Sequence, residues 1–461
     1  MLAVSFAPTE PAAAARGRLD VLVITLDTTR ADHLGCYGYA RPTSPHLDRL
    51  CQASHVYTRG FATSSWTLPS HASLFTGKFS SSHGAINDEA GPLKLSDEIE
   101  GPEGWARYAV RPLAEGETTL AEILTRHGYR TGAVVAGPWL KRSFGLSQGF
   151  SSYDDAEISS LEGRRADSVT ESAIRFLEAP GPDDTAPFFL FLNYYDPHIP
   201  YLPPVEFARP FVRRLEGGMR EDADWRKIAL YDAEIAYMDS QIGRLFARLG
   251  ELGKFDETLI VVTADHGELL GEHGEWGHGY HLTQQELRVP FILKLPAGSA
   301  DASPRRIDVP VQLVDVLPLV LEMAGFPRPE GIQGRSPRDA VRHPIVAEVY
   351  PLHTERWVGD WRASVKGTSK LLCNSLGNDA LFELASDPAE AVNLIASPSQ
   401  GASRRCDELL QYLASLPRPA PLGPSDPVGE ETRKALESLG YLDSRDSGTA
   451  DSGAAERPAV E

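Results

Sequence analysis

Four side chains from three separate segments have the types needed to gather around one ion. VLVITLD ends at Asp27, and LIVVTAD ends at Asp265 with His266 and Gly267 directly behind it, while SSWTLPSHASLFTG carries Thr67. Two carboxylates, one imidazole and one hydroxyl form an oxygen-rich donor set with a single nitrogen. That set suits one divalent metal ion (Ca, Mg, Mn or Zn) and lacks the thiolates of a structural zinc site. A hydroxyl beside such an ion is a candidate nucleophile for ester cleavage. Each residue also has an ordinary reading: a terminal aspartate often closes a turn, and a threonine before a helix caps it. Spacing alone leaves their convergence open.

The elements that must position them are legible as patterns. LDVLVITLD (19–27), FFLFLNYYD (188–196), TLIVVTAD (258–265) and VPFILKL (289–295) read as buried strands. Between them, TLAEILTRHG ends in Gly128, ADSVTESAIRFLEA has helical period, and Ile235, Met238, Ile242, Leu245 and Leu249 trace one face of an amphipathic helix. Strands apolar on both faces and separated by helices imply a parallel sheet covered on each side. Ligands of such sheets bind outside the carboxyl ends of the strands, where Asp27 and Asp265 fall. Pro69 suits a first helical turn and Gly77 a helix end, which puts Thr67 just before a helix N-terminus, an anion-attracting place.

Farther on, VPVQLVDVLPLVLEMAG reads as a helix, then PIVAEVYP, WRASVKG and SKLLCNS as short strands and SRRCDELLQYLASL as a helix. The expected fold is α/β: a large, mainly parallel sheet sandwiched by helices, with a smaller C-terminal antiparallel sheet plus helix subdomain. The expected boundaries are an N-terminal extension at 1–18, a catalytic domain at 19–340, a C-terminal α+β subdomain at 341–441 and a disordered tail at 442–461. Two long connections, Asn87–Gly116 and Pro203–Trp225, are places for specificity.

The chain has 461 residues, with 64 acidic against 45 basic side chains and a net charge of −19, which argues against a nucleic-acid face. No apolar run reaches the ~18 residues of a membrane span. Cys36, Cys51, Cys373 and Cys406 show no paired spacing and read as inert thiols. The N-terminal MLAVSFAPTEPAAAARG has no basic residue ahead of its apolar stretch, so the chain as written reads as cytoplasmic, and as periplasmic or secreted if a signal precedes it. Oligomeric state is not readable.

VLVITLDTTRADHLGCYGYARPTSPHLDRL resembles the opening of the sulfatase family, within the alkaline phosphatase superfamily. TLPSHASLFTG sits where that family has Cys/Ser-x-Pro-x-Arg. NYYDPHIPYLPP, TADHGELLGEHGEWGHG, VQLVDVLPLVLEMAGFPRPEGIQGRS, LFELASDPAEAVNL and LESLGYLDS continue the similarity in the family's order over roughly residues 19 to 443. The resemblance implies Asp27, Asp265 and His266 as metal ligands and Thr67 at the nucleophile position. It implies His198 as proton donor to the leaving oxygen, His278 as a contact of the bound oxyanion, and Lys141 as a weaker substrate-binding candidate. His71 stands at the motif arginine, while His273 and His281 read as structural.

Three departures shape the expected chemistry. Thr67 is neither Cys nor Ser, so no formylglycine, the family's sulfate-cleaving group, is expected. His71 replaces a bidentate arginine. Thr28 stands where arylsulfatases have a second aspartate. The Asp265–His266 pairing is reminiscent of superfamily members with a threonine nucleophile. A sulfated threonine lacks the exit that formylglycine provides, whereas water can displace phosphate from a phosphothreonine. The expectation is a metal-dependent hydrolase of sulfate or phosphate esters, phosphate mono- or diesters chemically favoured, acting on a small-molecule or glycan/lipid ester. The alternative from another class is a catalytically reduced relative that binds sulfated or phosphorylated glycans.

Overall fold

The run Val21–Leu26 has no polar position to turn toward water before Thr25, and it forms a wholly buried central strand. Its neighbours are the strands Phe188–Tyr194 and Leu259–Thr263, both parallel to it and equally buried. The structure, a computed structural model, describes residues 19–101, 108–180, 186–212, 223–299, 301–339, 343–350, 358–395 and 400–422. The expected N-terminal extension and tail, and the LESLGYLDS similarity, lie outside the described residues.

The main sheet runs in the order Arg305–Ile307, His55–Phe61, Arg288–Lys294, Leu259–Thr263, Val21–Leu26, Phe188–Tyr194, Arg130–Val134, Ser152–Asp154, with Val311–Gln312 also on His55–Phe61. Arg288–Lys294 is antiparallel to both its neighbours; every other pairing in the sheet is parallel. The expected α/β class is therefore the observed one. Helices Ala166–Glu178 and Ala223–Glu251 pack on each other, and the apolar stripe from Ile235 to Leu249 is fully buried.

Register does the positioning. Thr25 is level with Thr263 on one side and with Asn193 on the other. Two residues on, at the strands' carboxyl ends, Asp27 therefore stands level with Asp265, one strand spacing of about 4.8 Å apart. No sequence period encodes that alignment; apolar packing of the three strands sets it.

Several expectations need correction. The helix Thr67–Thr76 begins at Thr67 itself, with extended Trp66 as its cap, so Thr67 lies in the first turn rather than before it. Gly77 closes it in the left-handed region, as expected. The connection from Asn87 carries a three-stranded antiparallel sheet with its flanks, Ile86–Asn87, Leu93–Lys94 and Ala109–Arg111, and the one from Pro203 opens with the helix Val205–Val212. VPVQLVDVLPLVLEMAG opens with the strand Val311–Gln312 on the main sheet, and a 3-10 turn at Leu313–Asp315 leads into the α-helix Val316–Ala324. The C-terminal sheet is antiparallel, as expected, with a fourth strand at Ala380–Glu383 beside Ile345–Val349, Trp361–Lys366 and Ser369–Asn374.

The inert-thiol reading of Cys373 and Cys406 is overturned. They form a disulfide, Cα atoms 5.8 Å apart, tying the strand Ser369–Asn374 to the helix Gln400–Ala414. Nothing in their separation of 33 residues marks the pair. Replacing both cysteines with alanine is expected to lower unfolding stability by about 2–4 kcal/mol, because the unfolded chain regains the freedom of the closed loop. Denaturant titration against the parent checks this; an unchanged midpoint would show that the helix docks without the bridge. Cys36 and Cys51 are free.

Candidate active site

Asp27, Asp265 and His266 each offer a ligand atom, all within 4.8 Å of one another, and all three side chains are fully buried. Asp265 Oδ1 accepts from the His266 N–H at 2.9 Å and the Thr28 N–H at 3.3 Å. To aim its N–H there, Thr28 adopts φ 51, a left-handed conformation costly for a β-branched residue. Its carbonyl accepts the Tyr231 hydroxyl at 2.8 Å. Gly267 is required next: a Cβ there would meet the Gln285 carbonyl at 2.1 Å.

His266 Nδ1 lies 2.9 Å from the Gly267 carbonyl, which places the proton on Nδ1 and leaves Nε2 with a lone pair. That lone pair faces Asp265 Oδ2 at 3.3 Å and the Thr67 hydroxyl at 3.3 Å. Among the described residues, Asp27 Oδ1 and Asp265 Oδ2 have no hydrogen-bond partner. A lone pair and two carboxylate oxygens turned toward one another repel unless a cation lies between them. The donor set therefore fits a divalent ion. The electrostatics agree: burial, then the charge of Asp265, pushes the Asp27 carboxyl well above its ordinary range. Burial pushes Asp265 up to about 6, and burial lowers His266 to about 3.

Asn193 is a residue that sequence reasoning missed. It donates to Asp27 Oδ2 at 3.3 Å while accepting the N–H groups of Ala136 (3.2 Å) and Gly137 (2.9 Å). The signal was one amide inside the apolar run FFLFLN. Glu268 was also missed. It is fully buried beside the hydroxyls of Tyr201 and Thr28, and burial pushes its carboxyl up to about 8.

His198 and His278 come together although 80 residues apart, with Nε2 atoms at 3.1 Å. His278 packs against His266, ring centroids 4.3 Å apart, and His198 stacks on Tyr195 at 4.3 Å. His198 Nδ1 faces the Ile199 carbonyl at 2.6 Å and His278 Nδ1 faces that of Ser65 at 3.2 Å. Burial, then each one's histidine neighbour, pushes His198 down to about 3 and His278 well below its ordinary value, so the pair is neutral. One ring must then carry its proton on Nε2, and the longer Ser65 contact is the one to yield. His278 thus donates to His198. An anion bound beside the rings raises both pKa values.

Of the other two candidates, one backs the cluster and one lies apart from it. His71 sits behind Asp265, 3.7 Å from Oδ2, with both nitrogens engaged inside the protein: Nδ1 on the Thr67 carbonyl at 2.8 Å and Nε2 on the Thr25 hydroxyl at 2.9 Å. It braces the helix start and is not turned to the cavity. Lys141 is not brought to the cluster; its ammonium is held by the carbonyls of Glu98 (3.0 Å) and Ile158 (3.4 Å). His273 and His281 line a separate cavity against the C-terminal sheet.

A cavity of about 320 Å³ opens beside His198 and His278. Its walls are largely aromatic, with Trp66, Tyr108, Trp139, Trp276, Tyr280 and Tyr350. Among the described residues no helix is long and apolar enough to cross a membrane.

A sulfatase family model matches residues 20–326. The uncharacterized sulfatase YidJ of Escherichia coli (strain K12) is 25% identical over 452 residues, covering 87% of this chain and 88% of its own. A solved structure in complex with its substrate D-glucosamine-2-N,6-O-disulfate has TM-score 0.68 at 19% identity, over 86% of this chain and 97% of its own. The phosphonate monoester hydrolase of Agrobacterium radiobacter has TM-score 0.65 at 20% identity, over 86% and 96%. At these identities the two structures speak to the fold. With the family model spanning the whole segment from the first main-sheet strand to the helix ending at Ala324, this chain belongs to the sulfatase family, ester hydrolases of the alkaline phosphatase superfamily.

Proposed function

We propose that this protein is a metal-dependent ester hydrolase in which Thr67 is the nucleophile, with phosphate mono- or diesters as the favoured substrates. The observation that carries the reading is the Thr67 hydroxyl 3.3 Å from His266 Nε2, at a buried helix start beside two carboxylate oxygens without partners. Asp27, Asp265 and His266 would hold the ion, with Thr67 at its edge. When bound, the ion supplies Lewis-acid chemistry, polarising the ester and lowering the hydroxyl pKa.

The side chains divide the remaining work. Thr67 Oγ attacks phosphorus, its bond to phosphorus forming as the bond to the leaving oxygen breaks. The Thr67 proton passes to solvent water as the bond forms, and the leaving oxygen takes its proton from the His198–His278 pair. The charged His198–His278 pair holds the proton that His198 delivers. Water then attacks the phosphothreonine in line, returning one proton to the His198–His278 pair, while the departing Thr67 oxygen regains one from solvent and phosphate is released. Asn193 keeps Asp27 oriented and the His71 contact keeps the first turn of the helix in place. That a protein of the same fold is a phosphonate monoester hydrolase supports phosphorus esters on this scaffold.

Turnover of p-nitrophenyl phosphate, bis-p-nitrophenyl phosphate and p-nitrophenyl sulfate with Mn, Mg, Ca or Zn tests the reading. A mass spectrum of the quenched enzyme should carry a phosphoryl adduct on the peptide containing Thr67. A sulfate-only profile would replace phosphate as substrate, and no turnover of any ester would favour the binding protein. His198→Gln should cost about tenfold with nitrophenolate as leaving group but about a thousandfold with an alkyl alcohol, since protonation matters most for poor leaving groups. Equal losses across a leaving-group series would remove His198 as the donor.

A further inference from the structure

We propose that the cavity beside His198 and His278 receives the leaving group of the ester, and that it is built for an uncharged aromatic ring. The proposal rests on the reading of this site as an ester hydrolase's, and it names the substrate class.

Position comes first. His198 and His278 form part of the cavity wall, so a group filling it is attached to the atom that His198 protonates. Size comes next: about 320 Å³ lies at the low end of small-ligand sites and holds one ring system rather than a saccharide chain. The walls supply faces and edges. Trp66 and Trp139 meet edge to face, centroids 4.7 Å apart at 76°, and Trp139 is braced on Phe144 at 5.1 Å. Lys227 lies over the Trp276 ring at 4.3 Å and steadies it. A ring placed in this corner finds one indole face and one indole edge, the arrangement aromatic pairs prefer.

Charge and hydrogen bonding exclude the alternatives. Among the described residues the wall holds no lysine, arginine, aspartate or glutamate. A leaving group with its own anion would lose water there and find, among the described wall residues, only the His198–His278 pair, whose proton goes to the leaving oxygen. A sugar would bring several hydroxyls, whereas the wall offers the Asn87 amide and tyrosine hydroxyls, of which Tyr350's already donates to Glu348 at 2.9 Å. Buried hydroxyls left unpaired lower affinity steeply, and aromatic carbon has no such requirement.

The test compares leaving groups of similar basicity, so that recognition alone differs. Benzyl phosphate and glucose 6-phosphate both release a primary alcohol, and the matching sulfates give the same comparison if sulfate is the ester cleaved. The benzyl ester is expected to have the higher kcat/KM by about 100-fold, two or more unpaired hydroxyls' worth. Phenyl phosphate should exceed 4-carboxyphenyl phosphate by about tenfold. Trp139→Leu should cut the benzyl-over-glucose preference in kcat/KM by about tenfold. Trp276→Leu, in the short half-buried strand Trp276–Gly277, gives a second reading if Trp139→Leu does not fold. Binding of 1-naphthol, followed by quenching of tryptophan fluorescence, needs no turnover and should saturate in the parent and weaken in both variants. Equal turnover of benzyl and glucose esters, or a preference unchanged in a folded variant, overturns the proposal and leaves ester hydrolysis standing. Saturable 1-naphthol binding without turnover of any ester overturns the hydrolase reading and with it the leaving-group role.

Discussion

Replacing Thr67 with valine is expected to abolish turnover, lowering kcat/KM by about four orders of magnitude or more, as loss of a nucleophile does elsewhere. Valine keeps the shape and removes one oxygen. The fold should tolerate it, because among the described residues that hydroxyl's hydrogen bond is to His266 Nε2 at 3.3 Å, and the helix is held by apolar burial along Leu68, Ala72, Leu74 and Phe75. Thr67→Ser restores a hydroxyl at the same place and should recover activity to within about a hundredfold, with a phosphoryl adduct on residue 67. Activity in the valine variant within about tenfold of the parent would mean that the attacking oxygen comes from water. Serine separates the chemistry from the packing, since an effect of the lost methyl would persist in it.

Asp265→Asn is expected to empty the metal site while the protein stays folded, weakening retention at least about a hundredfold, more than outer-shell substitutions do. Elemental analysis after desalting measures this, and full metal content would remove Asp265 from the ligand set. The metal-free parent should show a matching pH dependence. Burial raises the folded pKa of Asp265 from the ordinary 3.8 to about 6, and Asp27 is raised as well. Between about pH 4 and 6 the folded state then binds protons that the unfolded chain has released. These two carboxyls therefore contribute stability to the chelated protein that is lost as pH rises through that window, while His266, lowered to about 3, contributes in the opposite sense. Metal reverses the trend, because its ligands must be deprotonated. Thermal melts at pH 5 and 7.5, with chelator and with Mn, should cross. In chelator at pH 7.5, Asp265→Asn should melt higher than the parent, since it removes a buried charge.

The chain alone determined the elements and the donors. Val21–Leu26, Phe188–Tyr194 and Leu259–Thr263 were legible because a strand buried on both faces must be apolar at every position, and the aspartates behind two of them stand out for the same reason. Thr67 was legible through Pro69 and Gly77, which bracket a helix by backbone restriction alone. The sequence motifs also carried the family. Tertiary structure decided everything that depends on register and on distant segments meeting. The alignment of Thr25 with Thr263 and Asn193 brings Asp27 level with Asp265 and makes Asn193 its support. The pairing of His198 with His278, the turning of His71 behind Asp265, the withdrawal of Lys141 onto backbone carbonyls and the Cys373–Cys406 bridge have no local signature. The aromatic cavity draws its walls from segments between Trp66 and Tyr350. Periodicity reports only what a residue's near neighbours in the chain require. Which surfaces meet is fixed by the packing of the whole sheet and its helices, a long-range property that no window of sequence contains.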